Sequence, residues 1–279
     1  MSGIIEEETP DMLKYLMAGA LAATVGSAAN ATTTVFNQGF EVDESGWIDD
    51  DDAGPGQINR VASGGGSLGI TSFEGGYHGE FTQTSSGPFT RFDGYRSVFP
   101  GGYTARAAIY LDTSWNLGEG FDYSVASNGS DGNHQRDFIF HVTKDTSTGS
   151  LLVGGSNNTN FDPREDLETI NNYEVTSSGW YIFEHVFRND GGVLAVDLNL
   201  LSDTEALLFT ETRSDPLDTI PGEVGGNRYG WFTNIDIAGG IAVDATSLSV
   251  VPVPAGVLLI ASAFGITGGL SWRRARKAG

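Results

Sequence analysis

The chain has 279 residues, with 36 acidic against 15 basic side chains, a formal net charge of −21, 39 glycines and no cysteine. That charge repels phosphate backbones, so nucleic acid is excluded as an expected partner, while cations are favoured as counterions or as bound calcium. The missing cysteine excludes disulfide support and a thiol nucleophile.

At the N-terminus, Met12-Leu13-Lys14 precedes an apolar stretch from Tyr15 to Val25 and the small residues Ala29-Asn30-Ala31. These are the charged, apolar and cleavage parts of a secretory signal, and the apolar part is too short to span a bilayer. Cleavage is expected after Ala31. Met12 fits the start of such a signal better than Met1, because the first residues carry Glu6, Glu7, Glu8 and Asp11. Residues 1–31 are read as an upstream extension and signal peptide with a short signal helix. Residues 32–251 are read as one domain, long enough for its own hydrophobic core.

Within that domain no helix-period pattern appears, and Gly, Asn, Asp and Ser punctuate short segments rich in aromatic and branched residues. The alternation of Tyr103–Leu111 puts Tyr103, Ala105, Ala107, Ile109 and Leu111 on one face, with Arg106 and Tyr110 on the other. The same period of two aligns Phe138, Phe140 and Val142, and likewise Leu194, Val196, Leu198 and Leu200. Further strands are expected at 57–62, 67–73, 78–83, 120–125, 180–187, 206–211, 228–234 and 241–250. Asn189-Asp190-Gly191-Gly192 is a hairpin turn, since Asp and Gly tolerate positive φ. The expected fold is an all-β, two-sheet antiparallel jelly-roll sandwich, with the signal helix before it and a single C-terminal transmembrane helix after it.

Candidate sites follow from side-chain chemistry. Sugar rings stack on exposed aromatic faces, and Trp115, in the polar stretch Asp112-Thr113-Ser114-Trp115-Asn116, is a platform candidate together with Tyr229 and Trp231. Trp180, in a segment apolar on both faces, is read as core. The acidic run Asp49–Asp52 lacks calcium-loop spacing and is read as a solvated loop. Catalysis finds little support. Glu41-Val42-Asp43-Glu44 lacks the spacing that would align two carboxylates for glycoside hydrolysis. His78, His134, His141 and His185 are scattered, with no zinc motif and no nucleophile elbow, and His141 and His185 are read as finishing strand faces.

Two motifs carry a family resemblance. Asn37-Gln38-Gly39-Phe40-Glu41, followed by Gly46-Trp47, resembles the opening of jelly-roll carbohydrate-binding modules, and Ile241-Ala242-Val243-Asp244 with Leu248 resembles their closing strand. The resemblance implies first and last strands lying together around a structural calcium, with Glu41 and Asp244 as its ligands. The stretch Gly225–Phe232 resembles a late strand of a concanavalin A-like sandwich, which is the alternative fold.

At the C-terminus, Val251-Pro252-Val253-Pro254-Ala255 is followed by an uncharged apolar run to Trp272 and by Arg273, Arg274, Arg276 and Lys277. The 18 residues from Ala255 to Trp272 reach roughly 27 Å as a helix, enough for a marginal span. The basic cluster would hold the C-terminus in the cytoplasm. This arrangement resembles the PEP-CTERM sorting signals of Gram-negative bacteria in their V-P-L-P-A variant, and departs from the commoner form, which has Glu between the prolines. It implies an exosortase-type protease and secretion machinery as partners, transient inner-membrane anchoring, and a mature protein at the cell surface or outside the cell. Residues 252–279 are thus read as a sorting segment. The function expected is non-catalytic binding of extracellular polysaccharide. The alternatives are a structural matrix or envelope protein without a discrete ligand, and a divergent glycoside hydrolase.

Overall fold

The computed structural model describes residues 32–49, 57–83, 87–92, 102–128, 133–158, 164–218 and 230–250. The expected signal helix, the transmembrane run, Tyr229 and Val251–Ala255 lie outside these residues. Among the described residues no helix is long and apolar enough to cross a membrane.

The strands are β1 (Thr33–Gln38), β2 (Trp47–Ile48), β3 (Ile58–Ala62), β4 (Tyr77–Phe81), β5 (Phe89–Thr90), β6 (Tyr103–Leu111), β7 (Gly120–Asn128) and β8 (His134–Lys144). They continue as β9 (Leu151–Asn157), β10 (Asn172–Val175), β11 (Gly179–Asp190), β12 (Val193–Ser202), β13 (Leu207–Ser214), β14 (Gly230–Thr233) and β15 (Ile241–Val250), with a short 3-10 segment at Arg164–Thr169. All lie in the compact unit Thr32–Pro252. One sheet runs β13-β12-β11-β6-β15-β4-β3, with β1 also on β15. The other runs β10-β9-β8-β7-β14-β5-β2. Every pairing is antiparallel, so the expected two-sheet antiparallel sandwich is what the chain forms.

Alternation decides which side chains enter the core. Tyr103, Ala105, Ala107, Ile109 and Leu111 of β6 are buried there, together with Phe121, Tyr123 and Val125 of β7 and Phe138, Phe140 and Val142 of β8. Rings meet across the sheets, as in Phe140 against Phe183 at 5.0 Å and Trp47 against Phe81 at 4.8 Å. Such edge-on pairs add to the area term that drives burial. The hairpin at Asn189–Gly192 forms with Gly191 and Gly192 at φ 62° and 100° and Gly192 N donating to Asn189 Oδ1.

β15 organises the eight-stranded sheet. Its first residues, Ile241–Val243, pair with β4, while Thr246–Val250 pair with β1. The junction is a bulge: against β6, Asp244 lies opposite Ala108 but Ser247 opposite Arg106, and Ala245 takes φ 45°.

One expected strand is absent. Residues 67–73 form turns in a long β3–β4 loop that lies against the outer face of the eight-stranded sheet. Its apolar residues mimic strand alternation, but its amides bond to side chains and turns instead of to a neighbouring strand. Glu80 accepts from Ser67 N at 2.9 Å, Ser67 Oγ at 2.8 Å and Leu68 N at 2.8 Å. Gly66, at φ 72°, leaves room for that carboxylate, with which a Cβ would collide.

Candidate functional site

The same loop builds one wall of an open pocket of about 420 Å³, within the roughly 300–1,000 Å³ usual for small-molecule sites. Its other walls are Tyr110 of β6, Trp180 of β11, Asp112 and Trp115 of the β6–β7 loop, and Gly240–Ala242 at the start of β15. Tyr110 and Trp180 are opposite one another in the β6–β11 register and both face away from the core. Their rings meet edge-on at 5.7 Å, and Trp180 also meets Phe73 and His78. Trp180 Nε1 donates to Thr71 O at 2.8 Å, fixing both the loop and the indole.

The β6–β7 loop is equally braced. Asp112 Oδ1 accepts from Ser114 N at 2.8 Å and Ser178 Oγ at 3.0 Å, and Lys144 Nζ donates to Thr113 O at 2.7 Å. Partial burial opposes the Asp112 charge, but the Ser114 and Ser178 hydrogen bonds and the Lys144 ammonium outweigh it and hold the carboxyl below its ordinary range. Trp115 packs one edge on the core beside Phe121 and turns the rest to the pocket.

The sequence-derived candidates therefore separate. Trp115 lines the pocket. Trp231 sits on β14 in the other sheet, opposite Ser124 and Phe89, and does not line it. Trp180, read as core, is instead a half-exposed wall of the pocket. The parity that sent Tyr110 outward was legible in the sequence. The register that sets Trp180 beside it was not, and apolar residues on both faces of β11 reflect a loop covering the outer one.

The two metal candidates grip one turn from two sides. Glu41 Oε1 accepts from Gly76 N at 2.9 Å and Tyr77 N at 3.0 Å. Asp244, fully buried at the β15 bulge, accepts from Glu74 N at 3.2 Å and Ala245 N at 2.8 Å. Burial pushes Asp244 up to about 7 against those amides, and the Glu74 charge adds to the rise. Both carboxylates border Gly39, where a Cβ would lie 3.1 Å from Glu74 Oε1 and 3.8 Å from Asp244 Oδ1. Arg60 donates to the Phe40 and Glu41 carbonyls beside it, at 2.5 and 2.6 Å. Among the described residues no group of three or more His, Asp or Glu is placed to hold a metal.

A second polar constellation, invisible in the sequence, lies on the outer face of the seven-stranded sheet. His141 Nδ1 is 2.6 Å from Asp122 Oδ1, and His141 Nε2 is 2.7 Å from Ser156 Oγ. Asn234 donates to the second Asp122 oxygen at 2.5 Å. With Asp122 accepting from Nδ1–H, a neutral imidazole accepts the Ser156 hydroxyl at Nε2. The order matches a nucleophile, base and acid relay. Yet Ser156 and His141 have no exposed surface and Asp122 only 5%. In sequence these residues are far apart, and only the pairing of β7, β8 and β9 unites them.

No protein-family model matches the chain, and no curated protein matches it. Among solved structures, the CBM2 module of the evolved Dit of Lactobacillus casei BL23 phage J-1 is similar with TM-score 0.41 and 12% identity, over 80% of this chain and 97% of that one. The VIP36 exoplasmic/lumenal domain, in its Ca2+/Man3GlcNAc-bound form, is similar with TM-score 0.42 and 10% identity, over 80% and 91%. The Emp47p carbohydrate recognition domain is similar with TM-score 0.42 and 8% identity, over 82% and 100%.

Proposed function

We propose that this is an exported, surface-sorted β-sandwich that binds extracellular polysaccharide without transforming it. The observation that carries this reading is the pocket in which Tyr110, Trp115 and Trp180 offer ring surface beside the polar groups of Asp112 and Thr71. Pyranose faces stack on such rings while their hydroxyls bond to polar neighbours. Glycoside hydrolysis requires two carboxyl groups about 5–9 Å apart, and among the described lining residues Asp112 supplies the one carboxyl. Export and sorting rest on the signal-like segment before Ala31 and on the Val251–Ala255 motif with its basic tail. On this reading an exosortase-type protease processes the tail in a Gram-negative envelope.

The test is glycan-array binding by the full chain and by Trp115→Ala. The reading expects a glycan bound by the parent and lost by the variant at unchanged circular dichroism. No glycan bound at high protein concentration would remove it.

A structural calcium is the second reading, favoured by the buried Asp244 carboxylate facing Glu74 across Gly39. Asp244 and Glu74 would hold the ion, with Glu41 bracing the same turn through its amides. Hard oxygen donors of this kind suit calcium, which would neutralise their mutual repulsion. A ligand held only by the native state raises its stability, so the melting temperature should rise with calcium and fall with chelator. A melting temperature unmoved by either would sink the metal.

A further inference from the structure

We infer that the pocket selects an amino sugar bearing a free, protonated amine over its N-acetylated, neutral and uronic-acid counterparts; this rests on the polysaccharide-binding reading above. Among the described residues the walls supply two kinds of attraction for a cation and no basic side chain for an anion. Trp115, Trp180 and Tyr110 present ring faces and edges, and indole faces are the best cation partners among side chains. Among the described lining residues Asp112 is the charged side chain, and its loop is braced from both sides by Ser114 and Ser178. A carboxylate has about four acceptor sites, so those donors leave room for an ammonium. Lys144 donates its ammonium to the Thr113 carbonyl and is not among the described lining residues. A uronate entering here would set its carboxylate beside Asp112 on a chain of net charge −21, with no basic side chain among the described lining residues to receive it. An ammonium would replace part of its hydration with a charge-assisted bond and an aromatic wall.

The experiment titrates the full chain with three soluble probes of equal length: a β-1,4-glucosamine oligomer, its fully N-acetylated form and an oligouronate, at a pH where the amine is protonated. The amine oligomer should bind about tenfold tighter than the N-acetylated one, as one charge-assisted contact supplies, and the uronate should bind weakest. Asp112→Asn keeps the acceptor for Ser114 and Ser178 and should close most of that gap. Trp115→Ala should weaken both the amine and the N-acetyl probes. Equal or tighter binding of the N-acetylated probe overturns the amine preference while leaving polysaccharide binding intact. A preference that Asp112→Asn does not reduce, and that added salt abolishes, reports diffuse attraction to an acidic protein and also overturns it. If none of the three probes binds and a glycan array is blank, the binding reading falls and the preference with it.

Discussion

The outer faces of the two sheets carry similar materials to opposite ends. On the eight-stranded sheet, a loop draws over the face but stops short, leaving Trp180, Tyr110 and Trp115 around an open pocket. On the seven-stranded sheet, Asp122, His141 and Ser156 hold the geometry of a catalytic relay and yet are sealed. On the proposed reading the accessible rings beside one ionised carboxyl form the sugar site, and the buried grouping holds the sheet together. The contrast also explains the loop: Gly66 and Glu80 anchor its start and Trp180 its middle, so the pocket wall is held rather than draped.

The largest effect should come from breaking the sealed network. His141→Phe takes a hydrogen-bond partner from both the buried Asp122 carboxylate and the buried Ser156 hydroxyl, and should cost about 3–5 kcal/mol in urea unfolding. It should not alter glycan binding by the folded fraction. Next is acidification, which strikes between the two faces. His185 is buried among Tyr123, Phe140 and Phe187, and burial drives its imidazole down to about 3. The unfolded chain takes up that proton near pH 6.5 and the native chain does not, so His185 costs nothing above 6.5 and stability falls as pH drops toward 3. At pH 4 the loss is about 3 kcal/mol. Asp244, pushed up to about 7, takes up its proton in the native chain over the same window and opposes this loss, while Asp112 and Asp197, held below their ordinary range, act over a more acid span. The test is therefore the difference between His185→Phe and the parent, which should grow in the variant's favour to about 3 kcal/mol as pH falls from 6.5 to 4.

Smaller effects belong to the pocket. Trp180→Ala removes ring contacts to Phe73, His78 and Tyr110 and the hydrogen bond to Thr71, and should cost about 2–3 kcal/mol because the site is half-exposed. It should weaken glycan binding as well, a coupling His141→Phe lacks. Smallest in stability is Ser156→Ala, about 1 kcal/mol for one hydrogen bond. If Ser156→Ala instead abolished glycan binding or a hydrolytic activity, the division between an open and a sealed face would collapse.

Much of the sandwich is legible in the sequence because core-facing apolar residues recur with a period of two, as Tyr103 to Leu111 in β6, Phe138, Phe140 and Val142 in β8, and Leu194 to Leu200 in β12. Where a loop covers a sheet, the code fails in both directions. Residues 67–73 look like a strand because Leu68, Ile70 and Phe73 sit against a sheet face, although their amides join no ladder. β9 is missed because Gly154, Gly155 and Ser156 look like a turn; at Gly154 the smallness admits Leu167, and at Gly155 Leu198 and Glu211. Among the candidate residues, Trp115, named from its polar setting, does line the pocket. Trp180 and the Asp122–His141–Ser156 set depend on strand register, which a single sequence does not encode locally.

Glycan binding by the full chain, Trp115→Ala and Ser156→Ala, measured side by side at equal folded concentration, tests the central claim most directly. The account predicts at least tenfold weaker binding by Trp115→Ala and unchanged binding by Ser156→Ala. Unchanged binding by Trp115→Ala, with loss on Ser156→Ala, would contradict it.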